Sequence, residues 1–255
     1  MSKLKVAVFK FSSCDGCQLQ FLNLEEELIH LIDLIDFALF YEARTYVEPG
    51  PYDLSFVEGS ISTPHEVELI KKVRDESKVI VTVGACATSG GIQALRNWAN
   101  VKEFQNYVYP RPEWIEVLKN AEPPSKYVNV DYEVRGCPAS KEQLLSFILQ
   151  FMRGKIPILP ISPLCIECKL SGNLCVLVVN GTPCLGPVTM AGCGALCPSY
   201  GRGCYGCYGP SVDSRTLVLN RRFKEMELKP KEIQLLFKQF AGWSRKFREV
   251  IEEYE

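Results

Sequence analysis

The sequence has no excess charge of either sign: 29 Lys and Arg stand against 30 Asp and Glu in 255 residues, a formal net charge of -1. Without a positive field to hold a phosphate backbone, nucleic acid is excluded as an expected ligand. No uncharged apolar run approaches the ~18 residues that a bilayer-spanning helix needs, so no membrane insertion is expected. The start, MSKLKVAVFKF, enters an apolar alternating stretch at once. It shows neither the succession of a secretory signal nor a twin-arginine leader, and a cytoplasmic location is expected. Histidine is scarce. His30 and His65 have no ligand partner at suitable spacing and read as ordinary side chains. Between Gly84 and Gly91 there is no G-x-G-x-x-G and no G-K-S/T, so nucleotide chemistry is expected in another chain. No internal repeat is evident.

What the sequence has in quantity is cysteine, twelve residues of it. Thiols in a reducing compartment are held reduced, and a 255-residue chain that is 47% hydrophobic can bury a full core without staples. A disulfide framework is therefore not expected outside hyperthermophiles, and metal or redox chemistry is the leading explanation.

Strands and helices alternate through residue 154. Leu4 to Phe11 reads as a strand and Gln18 to Ile35 as one amphipathic helix. Phe37 to Tyr41 and Asp53 to Val57 read as short strands. Thr63-Pro64 opens a charged helix through Glu76, with Thr63 at the cap and Pro64 in the first turn. Lys78 to Val83 and Tyr127 to Val134 read as strands, and Lys141 to Met152 as a helix. Such alternation implies an α/β, flavodoxin-like, doubly wound parallel sheet, whose ligands sit beyond the carboxyl ends of its strands.

Composition changes after Gly154. From Pro163 to Pro210, 22 of 48 residues are Cys, Gly or Pro, too few core-formers to offset the ordering entropy unaided; bound metal would supply cross-links. Residues 1–154 are thus expected to form one domain and 155–255 a smaller, irregular, ferredoxin-like iron–sulfur domain. It would close on a helix from Pro230 to Tyr254 packed on its own domain, docking on a partner being the alternative.

The cysteines fall into sets. Cys14 and Cys17 follow the first strand, Cys86 follows the run ending at Val83, and Cys137 follows Val134, so all four are expected at one sheet edge. Small neighbours such as Gly16, Gly84 and Gly136 would let backbone N–H groups approach cluster sulfurs. A four-cysteine zinc site is the alternative. In the second region Cys165, Cys168, Cys175 and Cys184 form one quartet and Cys193, Cys197, Cys204 and Cys207 another. Cys193-x3-Cys197-Pro echoes the end of bacterial ferredoxin motifs, although such proteins can exchange ligands between clusters.

At these residues the chain resembles a known family. C-x2-C after the first strand, GACA with a following Gly-Gly, GCP and CLGPVTMAGCGALCPSYGRGCYGC look like the small subunit of cytoplasmic nickel–iron hydrogenases. The likeness is to the archaeal type, the sulfhydrogenase delta and deazaflavin-linked hydrogenase gamma subunits. The resemblance implies an electron-transfer subunit with three [4Fe–4S] clusters and no hydrogen-activating centre of its own. Cys14, Cys17, Cys86 and Cys137 would hold the proximal cluster. Cys193, Cys197, Cys204 and Cys207 would hold the medial one, and Cys165, Cys168, Cys175 and Cys184 the distal one. The periplasmic enzymes have a histidine in place of Cys165 and a proline in place of Cys197, and both departures favour four-iron clusters here. Implied partners are a nickel–iron large subunit and a flavin or iron–sulfur subunit that reduces NADP, deazaflavin or sulfur.

Glu58 follows the third strand and is expected at the same edge. It either sits beside the proximal cluster, in proton transfer or as a substitute ligand, or caps the following helix or accepts backbone hydrogen bonds. Other readings of the chain are the related quinone-reductase subunit, which keeps a single cluster, a zinc-stabilised interaction module, and an independent ferredoxin-like carrier.

Overall fold

The computed structural model describes residues 3–255. Five strands, β1 (Leu4–Lys10), β2 (Ile35–Phe40), β3 (Tyr52–Glu58), β4 (Ser77–Val83) and β5 (Tyr132–Val134), form one sheet in the order β2-β1-β3-β4-β5, and every pairing is parallel. This is the flavodoxin-like order, with strand succession reversing between β1 and β3. The expected doubly wound α/β sheet is present.

Strand residues are apolar on both faces because both faces are covered. Val6 and Val8 of β1 pack with Leu54, Phe56, Val81 and Val83 on one side, while Ala7 and Phe9 pack with Val57 and Ile80 on the other. The first face is covered by α1 (Gly16–Leu22), α2 (Glu26–Leu34) and, later in the chain, the helix Lys141–Met152. Phe21 of α1 is 1% exposed, with its ring centroid 5.0 Å from Phe56 and 6.0 Å from Phe40. Phe56 in turn lies 6.0 Å from Phe147. This aromatic chain fixes α1, and the cysteine loop before it, against the strand ends.

The second face is covered by α3 (Pro64–Glu76) through Ile70 and Val73. Its start follows the sequence closely: Thr63 accepts the Glu66 N–H at 3.2 Å and the Glu66 carboxylate accepts the Thr63 N–H at 2.9 Å. Short elements follow: α4 (Gly84–Ser89), a 3-10 turn at Ile92–Trp98, α5 (Val101–Val108), and α6 (Lys141–Met152).

Three expectations need correction. The helix over 18–35 is two helices, interrupted where Glu25 adopts φ 50; the break lets Phe21, Leu24 and Leu31 all bury on the sheet. The strand over 127–134 shrinks to Tyr132–Val134. Upstream, Pro124 starts a 3-10 turn and the Asp131 carboxylate takes the Ile80 N–H at 2.8 Å, so a side chain replaces the ladder there. The tail helix is also split, as described next.

The second region consists of α7 (Cys165–Leu170), α8 (Val176–Val179), α9 (Leu196–Ser199), α10 (Thr216–Glu225), α11 (Pro230–Phe237) and α12 (Arg245–Glu252). A third core holds Phe223, Phe237 and Phe247 together with Cys168, Cys184 and Cys204. The single helix expected over 230–254 breaks between Phe237 and Arg245. At Gly242 the chain passes so close to Lys238 that a Cβ would stand 2.8 Å from its Cα. Ile233, Phe237, Phe247, Val250 and Ile251 are buried in this core, so the tail packs on its own region. Trp98 meets Trp243 edge-on at 5.2 Å and lies under Lys238 Nζ, joining this core to the sheet side. No helix among the described residues is long and apolar enough to cross a membrane.

Thr63→Ala should lower the thermal unfolding midpoint by about 2–4 °C, the equivalent of about 1 kcal/mol for a lost cap in a chain of this size. Thr63→Ser should leave it near the original value in the same calorimetric scan.

Candidate iron–sulfur cradles

The loops at the carboxyl ends of β1, β4 and β5 carry the first quartet. After β1 the backbone turns through Asp15, in the left-handed region at φ 65, held by Lys10 Nζ at 2.6 Å. This places Cys14 before α1 and Cys17 within its first turn. Cys86 lies in α4 directly after β4, and Cys137 lies just beyond β5. Backbone bonds fix these segments: the Ala85 N–H donates to the Gly136 carbonyl at 2.7 Å and joins the Cys86 and Cys137 loops, while the Phe11 N–H donates to the Glu58 carbonyl at 2.8 Å and ties the first loop to the end of β3. The expectation that four distant cysteines share one edge is met in placement. Cys14 is exposed, Cys17 buried, and Cys86 and Cys137 are half-buried.

Small residues border the sulfurs because nothing larger fits. A Cβ on Gly84 would stand 2.3 Å from Cys17 Sγ, and one on Gly91 2.5 Å from Cys86 Sγ. Burial pushes the Cys86 thiol up to about 12, with the neighbouring Cys137 and Cys14 adding to the effect. Cys17 is pushed up further by burial, against an opposing Ala139 N–H that favours its thiolate. Cys137 rises through burial and through Cys14. Such a site disfavours bare thiolates and suits thiolates whose charge a bound metal offsets.

Glu58, at the end of β3, is 3% exposed. Its carboxylate accepts the Cys17 N–H at 3.0 Å and the Gln18 side-chain amide at 2.8 Å, and burial raises its pKa. Glu58 thus accepts a backbone hydrogen bond from the first turn of α1 and lies beside Cys17 of the first quartet. His30 and His65 are exposed.

In the second region Cys165, Cys168, Cys175 and Cys184 line one pocket together, between α7 and α8. Burial pushes the Cys165 thiol up to about 11, and Cys184, Cys168 and Cys175 each raise it further. Cys193, Cys197 and Cys207 line a larger cleft of about 970 Å³, together with Cys137 of the first quartet. Burial pushes Cys207 up to about 12, opposed by the Cys137 backbone N–H. Cys204 sits between the two groups: its thiol is raised by burial first, then by Cys184 and Cys207. The structure thus brings each expected quartet into one neighbourhood and sets them in a row.

All twelve cysteines are free thiols. Among the described residues, no group of three or more His, Cys, Asp or Glu side chains is placed to hold a single metal ion. Residues that sequence reading missed include Ala139, whose backbone N–H favours the Cys17 thiolate, and Gln18, whose side-chain amide donates to the Glu58 carboxylate at 2.8 Å. Both act across loops, and no local pattern signals them.

A flavodoxin-like sheet with cysteine cradles at its switch-point edge and in an appended cysteine-rich region defines an iron–sulfur electron-transfer subunit. Comparison with known proteins agrees. Residues 14–151 match the family described as NADH ubiquinone oxidoreductase, 20 Kd subunit. The chain is 36% identical over 240 residues to sulfhydrogenase 2 subunit delta of Pyrococcus furiosus, covering 94% of this chain and all of that one. It is 30% identical to a vhu subunit of the F420-non-reducing hydrogenase of Methanocaldococcus jannaschii, with 85% of each chain covered. Among solved structures, it is similar to a chain of an NAD+-reducing [NiFe]-hydrogenase in the H2-reduced state, at TM-score 0.59 and 26% identity, over 62% of this chain and 96% of that one. The chain belongs to the NADH ubiquinone oxidoreductase 20 Kd subunit family, as a small subunit of the nickel–iron hydrogenases with a role in electron transfer.

Gly84→Ala should lower the iron content of the purified protein, because its methyl group would occupy the Cys17 sulfur's space. Gly154→Ala is the matched control: it imposes the same kind of strained φ, +66, but nothing lies within 4 Å. Elemental analysis of the two variants should show iron loss in the first alone.

Proposed function

We propose that this chain carries three [4Fe–4S] clusters and passes electrons between the active site of a nickel–iron large subunit and a flavin or iron–sulfur partner in the cytoplasm. Cys14, Cys17, Cys86 and Cys137 hold the first cluster. Cys193, Cys197, Cys204 and Cys207 hold the second, and Cys165, Cys168, Cys175 and Cys184 the third. When bound, these clusters supply one-electron redox centres. The chain's own residues fix the stations: the aromatic chain through Phe21 and Phe56 holds the first against the sheet, and α10, α11 and α12 back the other two.

The observation that carries this reading is the cleft shared by Cys137 with Cys193, Cys197 and Cys207, which makes the first and second quartets immediate neighbours. An independent carrier needs no such series. The likeness to a sulfhydrogenase delta subunit and to a chain of an NAD+-reducing hydrogenase supports a sulfur or nicotinamide acceptor, NADP included. Backbone N–H groups directed at the sulfurs stabilise the more negative, reduced state of whatever is bound.

Anaerobic purification through a tag on this chain should bring down a partner containing nickel, with iron at about twelve atoms per chain, four for each set of four thiolates. Cys168→Ala should remove about four of those irons and abolish hydrogen-dependent reduction of the physiological acceptor while hydrogen-dependent reduction of a small dye at the large subunit persists. Zinc in place of iron, or a partner without nickel, would refute the assignment.

A further inference from the structure

One residue, Cys204, makes the junction between the second and third cradles. The Cys204 N–H donates to Cys184 Sγ at 3.2 Å, and the Leu185 N–H donates back to the Cys204 carbonyl at 3.0 Å. Cys184 Sγ also accepts the Gly186 N–H at 3.4 Å, and Cys204 Sγ accepts the Gly206 N–H at 3.4 Å. Cys184 and Cys204 are each buried, so the bond lies in a medium that strengthens it and leaves little room for water to replace it.

Position 203 accounts for the close approach of these two segments. A Cβ on Gly203 would stand 1.9 Å from the Pro183 carbonyl oxygen, 3.0 Å from its carbonyl carbon and 3.3 Å from Cys184 Cα. All three are backbone atoms, which cannot swing aside as a side chain could. Gly201 and Gly206 on either side have φ of 71° and 75° and need glycine for their conformation, but Gly203 has no such positive φ. Glycine is required at 203 by space alone, and that space is the contact between one cradle's ligand segment and the next.

We propose that Gly203 is a positioning residue: it seats the Gly203–Cys204 peptide against Cys184 so that this N–H sets the reduction potential of the third site and forms a hydrogen-bonded path from the second. The inference rests on the assignment of Cys204 to the second cluster and Cys184 to the third. An N–H donated to a thiolate favours the state with more negative charge on the cluster, which is the reduced one, so the bond raises the potential. Losing it makes the third site harder to reduce. The first site shares none of these atoms and keeps its potential.

The test is Gly203→Ala in the full chain assembled with its partners, followed by iron analysis and a redox titration read by electron paramagnetic resonance. The third site is assigned as the signal absent from Cys168→Ala. With iron at about twelve per chain, the third-site midpoint should move to a more negative value while the first stays. A tenfold loss in its reduction equilibrium constant corresponds to about 59 mV for one electron. Gly172→Ala, where nothing lies within 4 Å, should move none of the three. If Gly203→Ala binds its full iron and no midpoint moves, or all three move together, the proposal is overturned while the three-cluster reading stands. Absence of iron from the unaltered protein would instead overturn that reading and the proposal with it. Should the variant retain only about eight irons, the unaltered protein decides by proton electron–nuclear double resonance of the reduced third site. Two strongly coupled protons exchangeable in D2O, those on Gly186 and Cys204, support the proposal, and fewer than two overturn it.

Discussion

Buried thiols cannot carry charge here without a counter-charge, and the structure is arranged around that constraint. Burial raises the pKa of Cys17, Cys86, Cys165, Cys204 and Cys207, so the apo protein would hold protonated sulfur. Metal bound there would have to expel those protons and supply the positive charge, which would couple the folding of the cysteine-rich region to its cofactor. Backbone N–H groups from Ala139, Gly186, Cys204 and Gly206 add partial positive charge without adding side-chain bulk. Glycine recurs beside sulfur for the same reason: it is the only residue that lets a peptide come so near.

The sheet makes this possible at the first cradle. In a parallel sheet all strand ends of one polarity lie on one edge, and the β1/β3 reversal opens a gap there. Loops from residues 11–17, 84–91 and 135–139 lie at that edge, the last two joined by the Ala85–Gly136 backbone bond and the first tied to residues 58–60. Glu58 is part of this scaffold, joining the end of β3 to the first turn of α1. The segment that matches the 20 Kd family, 14–151, contains only the first quartet. The eight cysteines beyond it belong to a region that the hydrogenase relatives also span, since their likeness runs over 85% to 94% of this chain. The family match thus covers the sheet with one cysteine quartet, and the likeness to the hydrogenase relatives extends over the appended region with the other two.

Much of this was readable in one dimension. Strand limits at β1, β3 and β4, the capped start at Thr63 and helix 141–152 follow from periodicity and capping chemistry, because they depend on neighbours in sequence. The breaks at Glu25 and Gly242 were not readable. Each serves packing against a distant surface, the sheet for Glu25 and Trp98, which Trp243 beside the second break meets edge-on, for Gly242, and neither breaks the apolar pattern. The shortened β5 has the same origin, since Asp131 binds Ile80 across 51 positions.

By itself the sequence determined how many thiols there are, which of them follow strand ends, and that the region 163–210 has too little apolar content to order without cross-links. Tertiary structure alone decided that Cys137 faces the cleft of Cys193, Cys197 and Cys207, and that Cys204 lies against Cys184. Spacing along a chain fixes the local turn that presents a ligand, but distances between ligand groups depend on how separate cores pack, and that packing is settled by contacts with no local signature.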